Sequence, residues 1–161
     1  MESLEQLGFV VWVRESGSLW GFAAFLVMHT TGLTTLAGVS TAINLRLLGV
    51  ASKVPLAPLG RLFPLMWAAL ALTAVSGIVL LLTDLSNKLA TPVFAVKMLC
   101  VLVGVGVLRL LKTSVFNNPQ VDAQPLPARA RVLAAVSLLL WLGATTAGRL
   151  MAYLSPSSSG L

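Results

Sequence analysis

The chain has 161 residues and a net charge of +6, and it is 57% hydrophobic but only 10% charged, where soluble domains average about 25% charged. So little charge cannot cover a water-facing surface, which excludes an ordinary soluble domain and makes lipid the natural solvent. The basic residues are scattered singly between apolar runs, which excludes a nucleic-acid-binding face, and the single cysteine, Cys100, excludes an intrachain disulfide or a cysteine-based metal motif.

The start, "MESLEQLGFVVWVRES", is acidic where a signal peptide is basic and has no small-residue cleavage site, so the chain is expected to be kept whole. Leu4, Leu7, Gly8 and Val11 recur at helical spacing among Glu2, Glu5, Arg14 and Glu15. Residues 1–16 therefore read as a short amphipathic helix lying at the membrane surface, with Trp12 and Trp20 in the interfacial belt.

A membrane helix needs roughly 20 mostly apolar residues. Four stretches meet that requirement, at about 17–45, 62–83, 92–112 and 131–154. They are separated by "GVASKVPLAPLGR", "DLSNKLATP" and the proline-rich "TSVFNNPQVDAQPLPAR", which read as loops. The tail, 155–161, reads as disordered. The expected fold is all-α: an antiparallel bundle of four transmembrane helices over 17–154, preceded by the interfacial helix.

Arg46, Lys53, Arg61, Arg109, Lys112, Arg129 and Arg131 fall at one end of the bundle, and only Arg14 and Lys88 at the other. The positive-inside rule then places both termini away from the cytoplasm.

Inside the spans lie His29, the sole histidine, with Lys97 and Arg149, and no acidic residue. Ionisable groups at a helix centre cost about 2.5–3.5 kcal/mol each on insertion scales, so by default they mark function. At about 1.5 Å rise per residue, Lys97 lies roughly 8 Å in from Pro92 and Arg149 roughly 8 Å in from Leu154. His29 lies roughly 14 Å in from Trp20, and Ser76 roughly 12 Å in from Asp84. All four belong to the half of the bilayer that holds the termini. Trp141, Thr145 and Arg149 share a face at four-residue spacing. Gly32, Gly38, Gly104, Gly106 and the Gly143/Ala147 and Ala144/Gly148 pairs would let helices approach closely. The expected site is a polar, cationic pocket of His29, Ser76, Lys97, Trp141 and Arg149. Its cations call for an anionic partner: Asp84, Glu15, a lipid phosphate or the carboxylates of a cofactor.

"HTTGLTTLAGVSTAINLRLLGV", "FAVKMLCVL" and "LLLWLGATTAGRLMAYL" resemble an uncharacterised bacterial family of four-helix integral membrane proteins over roughly residues 17–154. That family has His-x-x-Gly in helix one, Phe-x-x-Lys in helix three and Ala-Gly-Arg in helix four, matched here by His29, Gly32, Lys97, Gly148 and Arg149. Asn44 stands where the family has an aspartate. More distantly the chain is similar to copper-resistance and b-type cytochrome bundles. The resemblance implies a four-helix fold and a bacterial inner-membrane location, and does not by itself imply an activity.

Four functions are compatible with these residues. The first is electron transfer by a b-type haem, with His29 as axial metal ligand, Lys97 and Arg149 at the propionates, and Trp141 or Phe25 against the ring. The second axial ligand would come from a homodimer or from Met28, Met66, Met98 or Met151. The second function is binding or carriage of a lipid, a quinone or a small anion. The third is copper handling by His29 and methionines, disfavoured because Met28 and His29 point about 100° apart on a helix. The fourth is a non-catalytic subunit of a larger membrane complex. No catalytic constellation stands out, so any enzyme would be a redox membrane protein.

Overall fold

A computed structural model describes residues 6–118, 121–123 and 125–154, and within these it is all helix and loop. In chain order come α1 (Gly8–Glu15), α2 (Phe22–Leu47), α3 (Ala57–Gly60), α4 (Phe63–Leu82), α5 (Leu85–Ala90) and α6 (Pro92–Leu111). A π-helical turn (Lys112–Phe116) continues α6, and α7 (Ala128–Leu154) follows. The tail 155–161 and Glu2, Leu4 and Glu5 of the expected surface helix lie outside the described residues.

Four helical segments, Phe22–Leu47, Ala57–Leu82, Pro92–Phe116 and Ala128–Met151, are long and apolar enough to cross a membrane. Between 11% and 33% of each span is buried by the rest of the chain. The remaining apolar surface needs lipid around it. The chain is a multi-pass membrane protein.

Local chemistry sets the ends of the spans. The first starts at Phe22, five residues later than its apolar pattern begins, because Ser16–Gly21 form a turn after α1. It ends in a Schellman motif: Gly49, at φ 102°, turns the chain back so that Val50 N–H reaches Leu45 O (3.0 Å) and Gly49 N–H reaches Arg46 O (3.1 Å). Pro58, Pro64 and Pro92 stand in the first turns of α3, α4 and α6, where a missing N–H costs nothing.

Interhelical contacts fix the register. His29 meets Thr73 and Ser76 while Gly32 meets Ala69 and Thr73, so α2 and α4 run antiparallel. Lys97 lies on Gly148, Cys100 on Gly143 and Gly104 on Trp141, so α6 and α7 run antiparallel too. Asn44 on Ser137 joins the two pairs through α2 and α7. The bundle is up-down-up-down, with α2 and α7 at its centre.

One end holds α1, α5 and the end of α7 and is called the terminal end below; the other holds the two long loops and is called the loop end. The loop end is tightly fastened. Phe63, Met66, Leu47, Leu108 and Leu111 are fully buried there, and the Phe63 and Phe116 rings lie 5.1 Å apart. Arg109 sits 5.3 Å from the Trp67 ring centre, a cation–π contact. Asp122 crosses between the loops to accept from the backbone N–H groups of Leu56 and Ala57. These two bonds hold its carboxyl below the ordinary carboxylate range, helped by the Arg46 charge.

At the terminal end α1 buries Val10 and Val13 and leaves Leu7, Phe9 and Trp12 exposed, with Trp20 exposed just beyond. Phe9 meets Phe25 edge-on at 6.1 Å, which ties α1 to α2. Lys88 of α5 donates to Leu80 O at the end of α4.

Candidate functional site

The site starts from a missing side chain. A Cβ on Gly77 would stand 2.9 Å from His29 Cε1 and 3.1 Å from Nδ1, so only glycine lets the imidazole lie flat against α4. There Nδ1 is 2.9 Å from Thr73 O. A carbonyl oxygen can only accept, so Nδ1 carries the proton and donates. Ser76 Oγ, fully buried, stands 3.4 Å from Nδ1 and gives its own proton to Leu72 O at 2.6 Å. His29 Nε2 has no hydrogen-bond partner among the described residues. In a neutral ring this is the nitrogen with the free lone pair.

Helical angles show where the ring looks. Gly32 and Leu36, which are buried and lie within about 60° of His29 around α2, mark the α4 side; Ser40, within about 20°, marks the α7 side. His29 thus faces the interior of the bundle.

Lys97 enters the same layer from α6. Its Nζ lies 3.5 Å from the position of a Gly148 Cβ, so the side chain runs across α7 in a groove that this glycine leaves open. Lys97 is half-buried, and its charge acts through space on His29. Lys88 interacts electrostatically with Lys97 in turn. Burial holds the Lys88 amine below the ordinary lysine value, and Asp84 opposes that effect. Lys97 has no hydrogen bond or ion pair among the described residues; the ion pair found among them, Arg14 to Glu15, is elsewhere.

The other expected members are placed differently. Trp141 is buried, 3% exposed, about two turns deeper, with its ring over Gly104 and its Nε1 unpartnered. Arg149 is exposed, 100° around α7 from Gly148 and hence away from Lys97. It pairs with neither Asp84 nor Glu15 among the described residues. Of the methionines, Met28 and Met98 are exposed and Met66 is locked in the loop-end core. No three His, Cys, Asp or Glu side chains gather among the described residues to hold a metal ion.

A second polar group was not anticipated. Asn44 Nδ2 donates to Ser137 Oγ (2.8 Å) and Ser40 Oγ (3.1 Å), all three residues being at most 1% exposed. Asn44 Oδ1 is left without a partner. The four-residue spacing of Ser40 and Asn44 was the available signal, since it puts both on one helix face. The helix-four partner could not be read from spacing.

No family model, curated protein or solved structure matches the chain.

Proposed function

We propose that the layer formed by His29, Ser76, Lys97 and Lys88 binds an anionic group, a carboxylate or a phosphate, that enters the bundle from its terminal end. One observation carries this: the Lys97 ammonium lies in a half-buried layer shared with His29, and no carboxylate among the described residues pairs with it. An anion bound beside Lys97 would neutralise that ammonium and favour the protonated form of His29, whose Nε2–H would then donate to it. The positive-inside bias of the loops supports placing the opening on the non-cytoplasmic side of an inner membrane. The test is thermal melting in neutral detergent, titrated with inorganic phosphate at constant ionic strength. Wild type is expected to gain stability with phosphate, and Lys97→Gln to lose the gain. A response unchanged in Lys97→Gln would overturn the proposal.

A second reading is favoured by the His29–Thr73 bond. A ligating histidine usually donates its other ring N–H to a carbonyl or carboxylate, which fixes the tautomer and orients the ring. His29 does so, leaving Nε2 for a metal, and Lys97 and Lys88 would then face the carboxylates of a b-type haem. Such a haem would supply one-electron redox chemistry. Its second axial ligand would come from Met151, half-buried one turn beyond Gly148 on α7, or from another copy of the chain or a larger complex, since Met28 and Met98 are exposed and Met66 is distant. Oxidised and dithionite-reduced absorption spectra separate the readings: a Soret band lost in His29→Ala supports haem, and a featureless spectrum leaves the anion alone.

A further inference from the structure

About a quarter-turn around α7 from Gly148, a groove of about 300 Å³ opens between α2 and α7. Its walls are mainly apolar: Ala37 and Thr41 from α2, and Leu138, Trp141, Leu142 and Thr145 from α7. Because the helices run antiparallel, the groove can be followed toward the terminal end by stepping down α2 and up α7. Thr34 and Thr30 come next on one wall, and Arg149, one turn beyond Thr145, on the other. These three residues are exposed, and Arg149 has no anionic partner among the described residues. Arg149 lies within one turn of the end of its span at Met151, close to where acyl chains meet headgroups.

We infer that this groove is a binding site for one anionic phospholipid, with an acyl chain lying along Ala37, Leu138 and Leu142 and the headgroup phosphate on Arg149. Charge complementarity decides the occupant. A cation left unpaired at this depth is costly against hydrocarbon, and its long side chain can reach the headgroup level beside it. A guanidinium meets a phosphate in a two-pronged arrangement that a lysine cannot supply. The groove gives the chain somewhere to lie below that contact. Arg149 lies 100° around α7 from Gly148, so the headgroup contact does not depend on the His29–Lys97 layer.

The experiment measures melting of the purified full chain in neutral detergent with added phosphatidylglycerol or phosphatidylcholine, alongside native mass spectra that count retained lipid. Phosphatidylglycerol is expected to raise the melting midpoint of wild type and of Lys97→Gln, and phosphatidylcholine to do little. Arg149→Gln should lose the difference between the two lipids. Ala37→Leu, which fills the groove without touching the headgroup contact, should retain less lipid while melting normally without it. An equal response to both lipids, an Arg149→Gln variant that responds as wild type does, or full lipid retention by Ala37→Leu would each overturn the inference.

Discussion

His29 gives its Nδ1 proton to the backbone oxygen of Thr73 at 2.9 Å, across the seam between α2 and α4. The bond exists because Gly77 leaves the ring room. Gly77→Ala should therefore push the imidazole off α4 and destabilise the bundle by about 1–3 kcal/mol, the usual range for overpacking. His29→Ala alone should cost little more than the net value of one hydrogen bond, about 1 kcal/mol. Added to Gly77→Ala it should relieve most of the damage. Detergent melting of the two single variants and the double variant measures the coupling; additive losses would show that the ring does not rest on Gly77.

Gly32 and Gly38 provide a paired comparison on one helix. A Cβ at Gly32 would run into Thr73 Oγ1 and come within 2.9 Å of Ala69 O, whereas one at Gly38 meets nothing within 4 Å. Gly32→Ala should lower the melting midpoint markedly by forcing α2 from α4. Gly38→Ala should be neutral or stabilising, by up to about 1 kcal/mol of helix propensity.

Ser137→Ala should destabilise by about 0.6 kcal/mol and by no more than about 1.7, the average and the maximum measured for hydrogen bonds between membrane helices, because it leaves the Asn44 amide short of an acceptor. Asn44→Leu in the same chain should recover part of the loss, since a polar pair replaced by apolar groups no longer has a buried group to satisfy. Chemical denaturation of the single and double variants checks the order.

Asp122 makes the loop end pH-sensitive. Its carboxyl is held low in the folded chain by the N–H groups of Leu56 and Ala57, so this bridge contributes above the ordinary carboxylate pKa of about 3.9 and is lost as pH falls through the folded value. Protection factors against hydrogen exchange, taken relative to the intrinsic rate at each pH, should be high at the Leu56 and Ala57 amides near neutrality and fall in acid below that pKa. Asp122→Ala should make them low at every pH.

The four spans were legible because apolar length alone reports them, and the depth of His29, Ser76 and Lys97 followed from rise per residue. Rotation about each helix axis is a different matter. Arg149 and Gly148 are neighbours in sequence, yet one is exposed and the other lies under Lys97, and only the packing of α6 on α7 decides which. Trp141 shares a face with Arg149 by spacing and proves to line the groove rather than the His29 layer. The short helices α3 and α5 and the π-turn fall in segments read as loops, where prolines and polar residues mask one or two turns of helix. Of the small residues proposed to bring helices together, Gly32, Gly104, Gly143 and Gly148 do so, while Gly38 and Gly106 face open space. Spacing alone gives no sign of which glycine a neighbouring helix will approach.

The central claim is that His29 and Lys97 together hold an anion, and equilibrium dialysis of the purified chain against radiolabelled inorganic phosphate tests it most directly. Wild type and Arg149→Gln are predicted to bind about one phosphate per chain at this layer, while Lys97→Gln and His29→Ala bind weakly or not at all. Phosphate binding that persists unchanged in Lys97→Gln, or that is absent from wild type, would contradict the account.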